Sequence, residues 1–137
     1  FPINLSIGNP WKKFNKNNMN SKVNAFSRTP KNILEMFYLG QHPYAVDLYS
    51  RNPQTGIAFS FDFDQKPLKS TGPKIFGQPT KITNDAQKNS KFEVTKLTKL
   101  KSGAYLLEAK FDLIAFDQKE NPKNVTNGFL RLRLNTL

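Results

Sequence analysis

Hydrophobic and polar residues alternate strictly near the C-terminal end of the chain. In residues 128–137, leucine occupies every second position from 130 to 134, and Phe129, Arg131 and Arg133 occupy the alternate positions. Side chains of a β-strand point alternately to opposite faces, so this spacing predicts a strand with one buried and one solvated face. The final segment is therefore predicted to be a strand that presents two arginines and an aromatic ring to solvent.

The same alternation recurs along the chain and predicts further strands. Residues 57–64 place Ile57, Phe59, Phe61 and Phe63 on one face and small or acidic residues on the other. A Pro- and Gly-containing turn precedes them, so we expect a hairpin between residues 44–51 and this strand. The remaining predicted strands are residues 2–8, 91–100 and 104–117, with shorter candidates at 74–76 and 79–83.

Two irregularities in the later strands carry information. Leu97 breaks the alternation of residues 91–100, and a β-bulge near Lys96 would explain the break. Residues 104–117 are apolar on both faces in places, which predicts a central strand. Residues 65–74, 84–90, 101–103 and 118–127 are rich in turn-forming or polar residues and are predicted to be connections.

One segment has helical spacing. Thr29 is a good N-cap, Pro30 suits the first helical position, and Gly40 suits a left-handed stop. The apolar residues between them fall on one face, so a short amphipathic helix is predicted over residues 30–39.

About eight or nine short strands separated by turn signals predict a mainly β, antiparallel β-sandwich, with a small β-barrel as the alternative. The 137 residues suit a single domain over residues 1–137. Residues 12–28 are polar and carry charge of one sign, so they are predicted to form a mobile basic loop.

The chain carries a net charge of +11, which favours polyanions such as nucleic acid or acidic glycan as partners. Arginines beside an aromatic ring on a sheet face can also hold single-stranded nucleic acid. A soluble, lysine-rich surface is the alternative interpretation, because bidentate phosphate recognition usually prefers arginine over lysine. The candidate polyanion-binding residues are Lys12, Lys13, Lys16, Lys91, Lys96, Lys99, Lys101, Arg131 and Arg133.

Little in the sequence points to catalysis. Cysteine is absent, phosphate-binding glycine loops are missing, and His42, the one histidine, is predicted to be a loop residue. Asp62 and Asp64 share a strand face, and the predicted hairpin places Asp47 across from them, so these acids are candidates for Ca²⁺ or acid–base chemistry. The alternative is a solvated acidic face. We therefore expect no enzyme activity and no cofactor.

Two segments carry a resemblance to a known class of proteins. The chain opens with an alternating strand that runs into Gly8-Asn9-Pro10-Trp11, and Val125-Thr126-Asn127-Gly128 precedes the final strand after a long strand containing residues 109–113. In these features it resembles the small secreted or lipid-anchored β-domains of unknown function of Bacteroidetes. The resemblance implies an extracytoplasmic β-fold, in the periplasm, at the cell surface or secreted, with no catalytic residues to carry over.

Three functions are consistent with the sequence. The first is a non-enzymatic extracytoplasmic domain that binds or scaffolds a protein or glycan partner. The second is a polyanion-binding module that uses its lysines, and the third is a barrel that holds a small apolar ligand among its phenylalanines. The longest apolar run is too short to span a bilayer, and the oligomeric state stays open.

Overall fold

The protein is mainly β, as predicted. A computed structural model describes residues 3–8, 34–47, 56–72 and 79–134. These residues contain six strands of four or more residues and one strand of three residues, so the predicted number of eight or nine is too high for this part of the chain. The strands are β1 Ile3–Gly8, β2 Gly40–His42, β3 Gly56–Phe63, β4 Lys66–Lys69, β5 Lys91–Lys99, β6 Tyr105–Phe116 and β7 Pro122–Leu134.

All seven strands belong to one antiparallel sheet that curls into a half-barrel. The pairing order is β1-β3-β4-β6-β5-β2, and β7 pairs with β6. A sandwich of two separate sheets is not confirmed, because β4 and β6 join the two halves through the Lys69–Phe116 pair. The curl brings the Phe59 ring of β3 to 4.9 Å from the Phe111 ring of β6.

The predictions for the C-terminal half are largely confirmed. Strand β6 is central, with β7 along one edge and β5 and β4 along the other. The register of β5 against β6 shifts between Val94 and Lys96, which is the predicted bulge. Strand β7 starts at Pro122, so the predicted loop 118–127 is too long, and only residues 117–121 connect β6 to β7.

The predicted helix over residues 30–39 is largely wrong where the structure describes it. Helical geometry is limited to residues 34–36 within the described part, and residues 30–33 lie outside it. Gly40 has a φ of +109°, consistent with the predicted stop, but the chain then enters β2 and pairs with β5. A helix this short is marginally stable on its own, so tertiary contacts determine the conformation of this segment. One of these contacts is made by Phe37, which is buried in the core.

The predicted hairpin between residues 44–51 and 57–64 is also wrong. Strand β3 pairs with β1 on one edge and β4 on the other, and Tyr44 makes an isolated parallel bridge to Ile57. Asp64 and Gln65 have φ values of +52° and +62°, which suit a two-residue hairpin turn from β3 into β4. Residues 66–69 are thus a strand rather than loop, and Phe63, beside this turn, is 59% exposed rather than buried.

Of the two shorter predicted strands, one is wrong and the other lies outside the described residues. Residues 79–83 form no strand, and Glu120 of the β6–β7 connection holds this segment instead. Residues 74–76, and residues 48–51 of the predicted hairpin, lie outside the described residues, as does the predicted basic loop 12–28. Residues 84–90 form turns, as predicted.

Gly56 allows an unusually close approach of two backbone segments. The amide of Ile57 donates to the carbonyl of Pro43 at 2.7 Å, and the amide of Ala45 donates back to the carbonyl of Ile57 at 3.0 Å. A Cβ atom at position 56 would lie 2.5 Å from the Pro43 carbonyl oxygen. Only a residue without a side chain leaves room for this contact.

Two buried side chains complete the pairing between strands. Gln87 accepts a hydrogen bond from the Ile114 amide at 3.0 Å and donates to the Ile114 carbonyl at 2.7 Å and the Ser70 carbonyl at 3.1 Å. The Ser70 hydroxyl accepts from the Phe59 amide at 2.9 Å, and the Ser70 amide donates back to the Phe59 carbonyl. These side chains satisfy backbone groups that would otherwise be buried without partners.

Replacing Gly56 with alanine should lower the free energy of unfolding by about 1–3 kcal/mol, because backbone atoms cannot yield as a flexible side chain can. Gly72→Ala is the matched control: among the described residues its Cβ would meet the Val46 carbonyl oxygen alone, at 3.6 Å, so a change within about 0.5 kcal/mol is expected. Urea denaturation measures both. Equal losses for the two variants would contradict the close approach at Gly56.

Replacing Gln87 with methionine keeps the side-chain volume but leaves the Ile114 and Ser70 backbone groups without this partner. The expected cost is about 3 kcal/mol of unfolding free energy. Gln118→Met, at an exposed position of the β6–β7 connection, should change stability by less than about 0.5 kcal/mol. A Gln87→Met protein as stable as the wild type would show that the amide contacts contribute nothing.

Candidate polyanion-binding face

Three neighbouring strands, β5, β6 and β7, present one solvent-facing side, which we call the outer face. Alternate residues of these strands, including Phe92, Leu107 and Leu130, point into the core. The bulge opposite Glu108 resets the alternation of β5, so that Lys96 lies on the same side as Lys91. The charged and aromatic residues of the outer face are Lys91, Glu93, Lys96, Glu108, Lys110, Asp112, Phe129, Arg131 and Arg133, and Thr98 and Leu106 lie in the row of Arg133.

The strand registers arrange these side chains in rows across the sheet. Glu108 of β6 is paired with Lys96 of β5 on one side and with Arg131 of β7 on the other. Directly opposed side chains have Cβ atoms roughly 4.5–5.5 Å apart, so the carboxylate is flanked by two cations. The acid therefore offsets part of the positive charge in this row without reversing it.

The next row contains the exposed aromatic ring. Lys110 is paired with Glu93 of β5 and with Phe129 of β7, and Phe129 is 59% exposed. The ring therefore lies across from Lys110 and two residues from Arg131 along the same strand. Cationic groups thus lie beside the ring both across the sheet and along β7.

Asp112 anchors the far end of the outer face and is already used structurally. It pairs with Lys91, and its carboxylate accepts a hydrogen bond from the Asn127 amide at 2.8 Å, where β7 bulges. The Tyr44 hydroxyl donates to the Asp112 carbonyl at 3.0 Å. Burial and, secondarily, the charge of Asp112 raise the pKa of Tyr44, so the hydroxyl stays protonated as a donor.

The predicted basic residues divide into three groups. Lys91, Lys96, Arg131 and Arg133 lie together on the outer face, although they come from separate segments. Lys99 and Lys101 are exposed at the end of β5 and in the following turn. Arg133 donates a hydrogen bond to the Ser102 hydroxyl of that turn at 3.3 Å, which places the turn next to the outer face. The remaining candidates lie outside the described residues: Lys12, Lys13 and Lys16.

Five cations and three acids make up the charge of the outer face, so a positive excess remains. Lys101, in the turn that Arg133 contacts, adds positive charge at one end, whereas Lys99 is paired with the buried Tyr105 and lies on the opposite side of β5. Lys110 belongs to the face although the sequence analysis did not single it out. The outward positions of β6 alternate with its buried ones, and this spacing is the signal that would have found it.

The acidic candidates for a metal do not form a cluster in the described residues. No three His, Asp or Glu side chains gather there. Asp62 and Asp64 are exposed at the β3–β4 turn, and the hairpin that was to bring Asp47 to them does not form. Any Ca²⁺ binding by these acids stays a hypothesis without geometric support.

His42 is buried rather than part of a loop, since it belongs to β2 and pairs with Phe92. Its Nε2 lies 2.7 Å from the Tyr38 carbonyl oxygen, and its ring stacks on the Tyr38 ring at a centroid distance of 4.0 Å. The His42 ring also lies edge-on to the Phe92 ring at a centroid distance of 6.2 Å, so the histidine helps to pack β2 against β5.

Three carboxylates, one exposed and two half-buried, form hydrogen bonds within or between the connections. Hydrogen bonding from the Thr83 hydroxyl lowers the pKa of Asp85, and the Asn121 amide lowers the pKa of Asp117. Glu120 accepts from the Thr80 hydroxyl at 2.6 Å and from the Lys81 amide at 2.9 Å, and the first of these lowers its pKa most. General acids at neutral pH need a raised pKa instead, so these groups fit a structural role.

Comparisons with protein-family models, with curated proteins and with solved structures find no match for this chain. The resemblance to the Bacteroidetes domains therefore stays a prediction. Within the described residues there is no helix with the length and apolarity required to cross a membrane.

The lowered pKa of Glu120 predicts how the stability contributed by its hydrogen bonds depends on pH. A carboxyl whose pKa is lowered by folding stabilises the protein above the unfolded value, near 4.5 here, and this contribution is lost as the pH falls through the folded value. Glu120→Gln should therefore lower the melting temperature at pH 7, and the difference from wild type should shrink toward pH 3. An equal difference at both pH values would contradict the role of the charge.

Proposed function

We propose that the chain is a non-enzymatic binding domain that recognises an anionic polymer through the outer face of β5, β6 and β7. The observation that carries the proposal is the register, which sets Lys91, Lys96, Arg131 and Arg133 on one side of three adjacent strands. A surface with an excess of cations attracts an extended polyanion and makes its binding salt-dependent.

The packing of the phenylalanines favours this proposal over an apolar-ligand barrel. The ring centroids of Phe59 and Phe111 are 4.9 Å apart, and those of Phe92 and Phe111 are 6.4 Å apart. These rings fill their space by contacting each other, as aromatic residues of a core do. A location outside the cytoplasm and a complete sandwich stay predictions.

The proposal is tested by removing charge from the outer face and, in a matched variant, from elsewhere. Lys91→Gln with Lys96→Gln should clearly lower the salt concentration at which the protein elutes from a heparin column. Lys66→Gln with Lys81→Gln changes the net charge equally, but these exposed lysines lie outside β5–β7, so a much smaller shift is expected.

Two results would overturn the proposal. Equal shifts for the two double variants would mean that overall charge, rather than this face, determines retention. Elution of the wild type at the same low salt as a non-binding protein of equal net charge would mean that the face binds no polyanion. Thermal melting of all variants serves as the check that the fold is retained.

A further inference from the structure

We propose that the anionic polymer is a single-stranded nucleic acid, with one base stacked on Phe129 and the backbone held by the cations around it. This inference rests on the proposed function, because it identifies the ligand of the same face. It adds a distinct requirement, namely that the ligand offers flat aromatic surfaces as well as negative charge.

The environment of Phe129 is what points to such a ligand. An isolated exposed hydrophobic side chain is common on protein surfaces and carries no meaning by itself. Phe129, however, is 59% exposed within a sheet face, opposite Lys110 and in alternation with Arg131 and Arg133. Proteins that bind single strands combine a positive groove for the backbone with aromatic rings that stack on bases.

The distribution of arginine supports the same ligand. The chain has 21 basic residues, and two of its four arginines directly follow Phe129 along β7 at every second position. Successive outward residues of a strand are about 6.8 Å apart, so Phe129, Arg131 and Arg133 follow one another along the outer side of β7. The guanidinium group of Arg133 also donates to the Ser102 hydroxyl. Guanidinium groups bind phosphate with two hydrogen bonds and also stack on flat surfaces, which lysine does not do.

The acids of the outer face all come from β5 and β6, and none comes from β7. Glu93, Glu108 and Asp112 belong to β5 and β6, and Pro122–Leu134 contains no aspartate or glutamate. Of these acids, Glu108 lies between two cations, and Asp112 accepts the Asn127 amide. A phosphate backbone that follows β7 from Phe129 to Arg133 therefore runs along the ring and two arginines, with the carboxylates to one side of this strand.

Two other polyanions fit the face less well. A sulfated glycan engages cations but has no aromatic base to cover the ring. In a nucleic acid duplex the bases are already stacked on each other, so Phe129 could not reach a base face without disrupting the helix. An exposed ring among the cations therefore favours an unpaired strand.

The test compares ligands that share charge but differ in bases. Fluorescence anisotropy at low salt would measure the affinity for a labelled oligothymidine of about twelve nucleotides, a length within the range of known single-strand sites. An abasic oligonucleotide of equal length and charge, a duplex of the same length and a heparin-derived oligosaccharide serve as comparisons. We expect oligothymidine to bind about tenfold more tightly than the abasic strand.

Phe129→Leu should abolish the preference for oligothymidine while leaving the affinity for the abasic strand unchanged. Phe63→Leu is the matched control, because Phe63 is also 59% exposed but lies beside the β3–β4 turn. It should keep the full preference. If Phe129→Leu failed to fold, the comparison of oligothymidine with the abasic strand in the wild type would still decide the question.

The contrary outcomes separate the two proposals. Equal affinity for oligothymidine and the abasic strand, tighter binding of the duplex, or binding of the heparin oligosaccharide alone would overturn the single-strand inference and leave a polyanion-binding face in place. Failure of all four ligands to bind would overturn the proposed function itself.

Discussion

The edge of β6 must change partners part-way along its length, and the arrangement of the sheet depends on how that change is accommodated. From Tyr105 to Asp112 the edge pairs with β5, and at Phe116 it pairs with β4. Between these points the backbone groups still need hydrogen-bond partners, because leaving them buried and unpaired would be costly. The Tyr44 hydroxyl donates a hydrogen bond to the Asp112 carbonyl. The side-chain amide of Gln87 donates to the Ile114 carbonyl and accepts from the Ile114 backbone amide.

The side chain of Gln87 therefore acts as one residue of a strand. Its amide group offers one donor side and one acceptor, as a peptide group does. The Ser90 hydroxyl donates to the Gln87 acceptor at 2.6 Å, which fixes the orientation of the amide. With the gap filled in this way, β5 and β4 can diverge from the same edge, and the sheet can curl so that β3 covers the core side of β6.

The outer face is a consequence of the same central strand. Because β6 pairs with β5 along one edge and with β7 along the other, its registers decide which residues of distant segments become neighbours. Lys96 and Arg131 are far apart in sequence and meet on either side of Glu108. The bulges in β5 and β7 adjust the alternation, and the bulge in β5 turns Lys96 toward solvent.

Alternation alone was enough to predict several parts of this structure. It located β5, β6 and the second half of β7, it indicated the bulge near Lys96, and it correctly placed Phe129, Arg131 and Arg133 on a solvated face. It failed where the structure depends on which segments pair with each other, because alternation shows only which side of a strand each residue faces. Residues 44–46 alternate as a strand does, yet Ala45 and Val46 are both buried because the chain runs between β3 and neighbouring segments.

Other features depend on contacts between residues far apart in the sequence, which no local pattern reveals. The hydrogen bonds of Gln87 join residues that are 17 and 27 positions away, and a glutamine in a turn-rich segment gives no sign of them. Likewise, Pro67 suggested a loop, whereas the turn at Asp64 and Gln65 made residues 66–69 a strand. For the candidate site, the sequence indicated the exposed residues of each strand, and only the register showed which ones are neighbours.

Amide hydrogen exchange at Ile114 tests most directly whether a side chain replaces a strand at the edge of β6. If the Gln87 amide holds the Ile114 amide as a neighbouring strand would, this hydrogen should exchange as slowly as that of Leu107, in the middle of the same strand. Exchange at the rate of an unprotected amide, while Leu107 stays protected, would contradict the account.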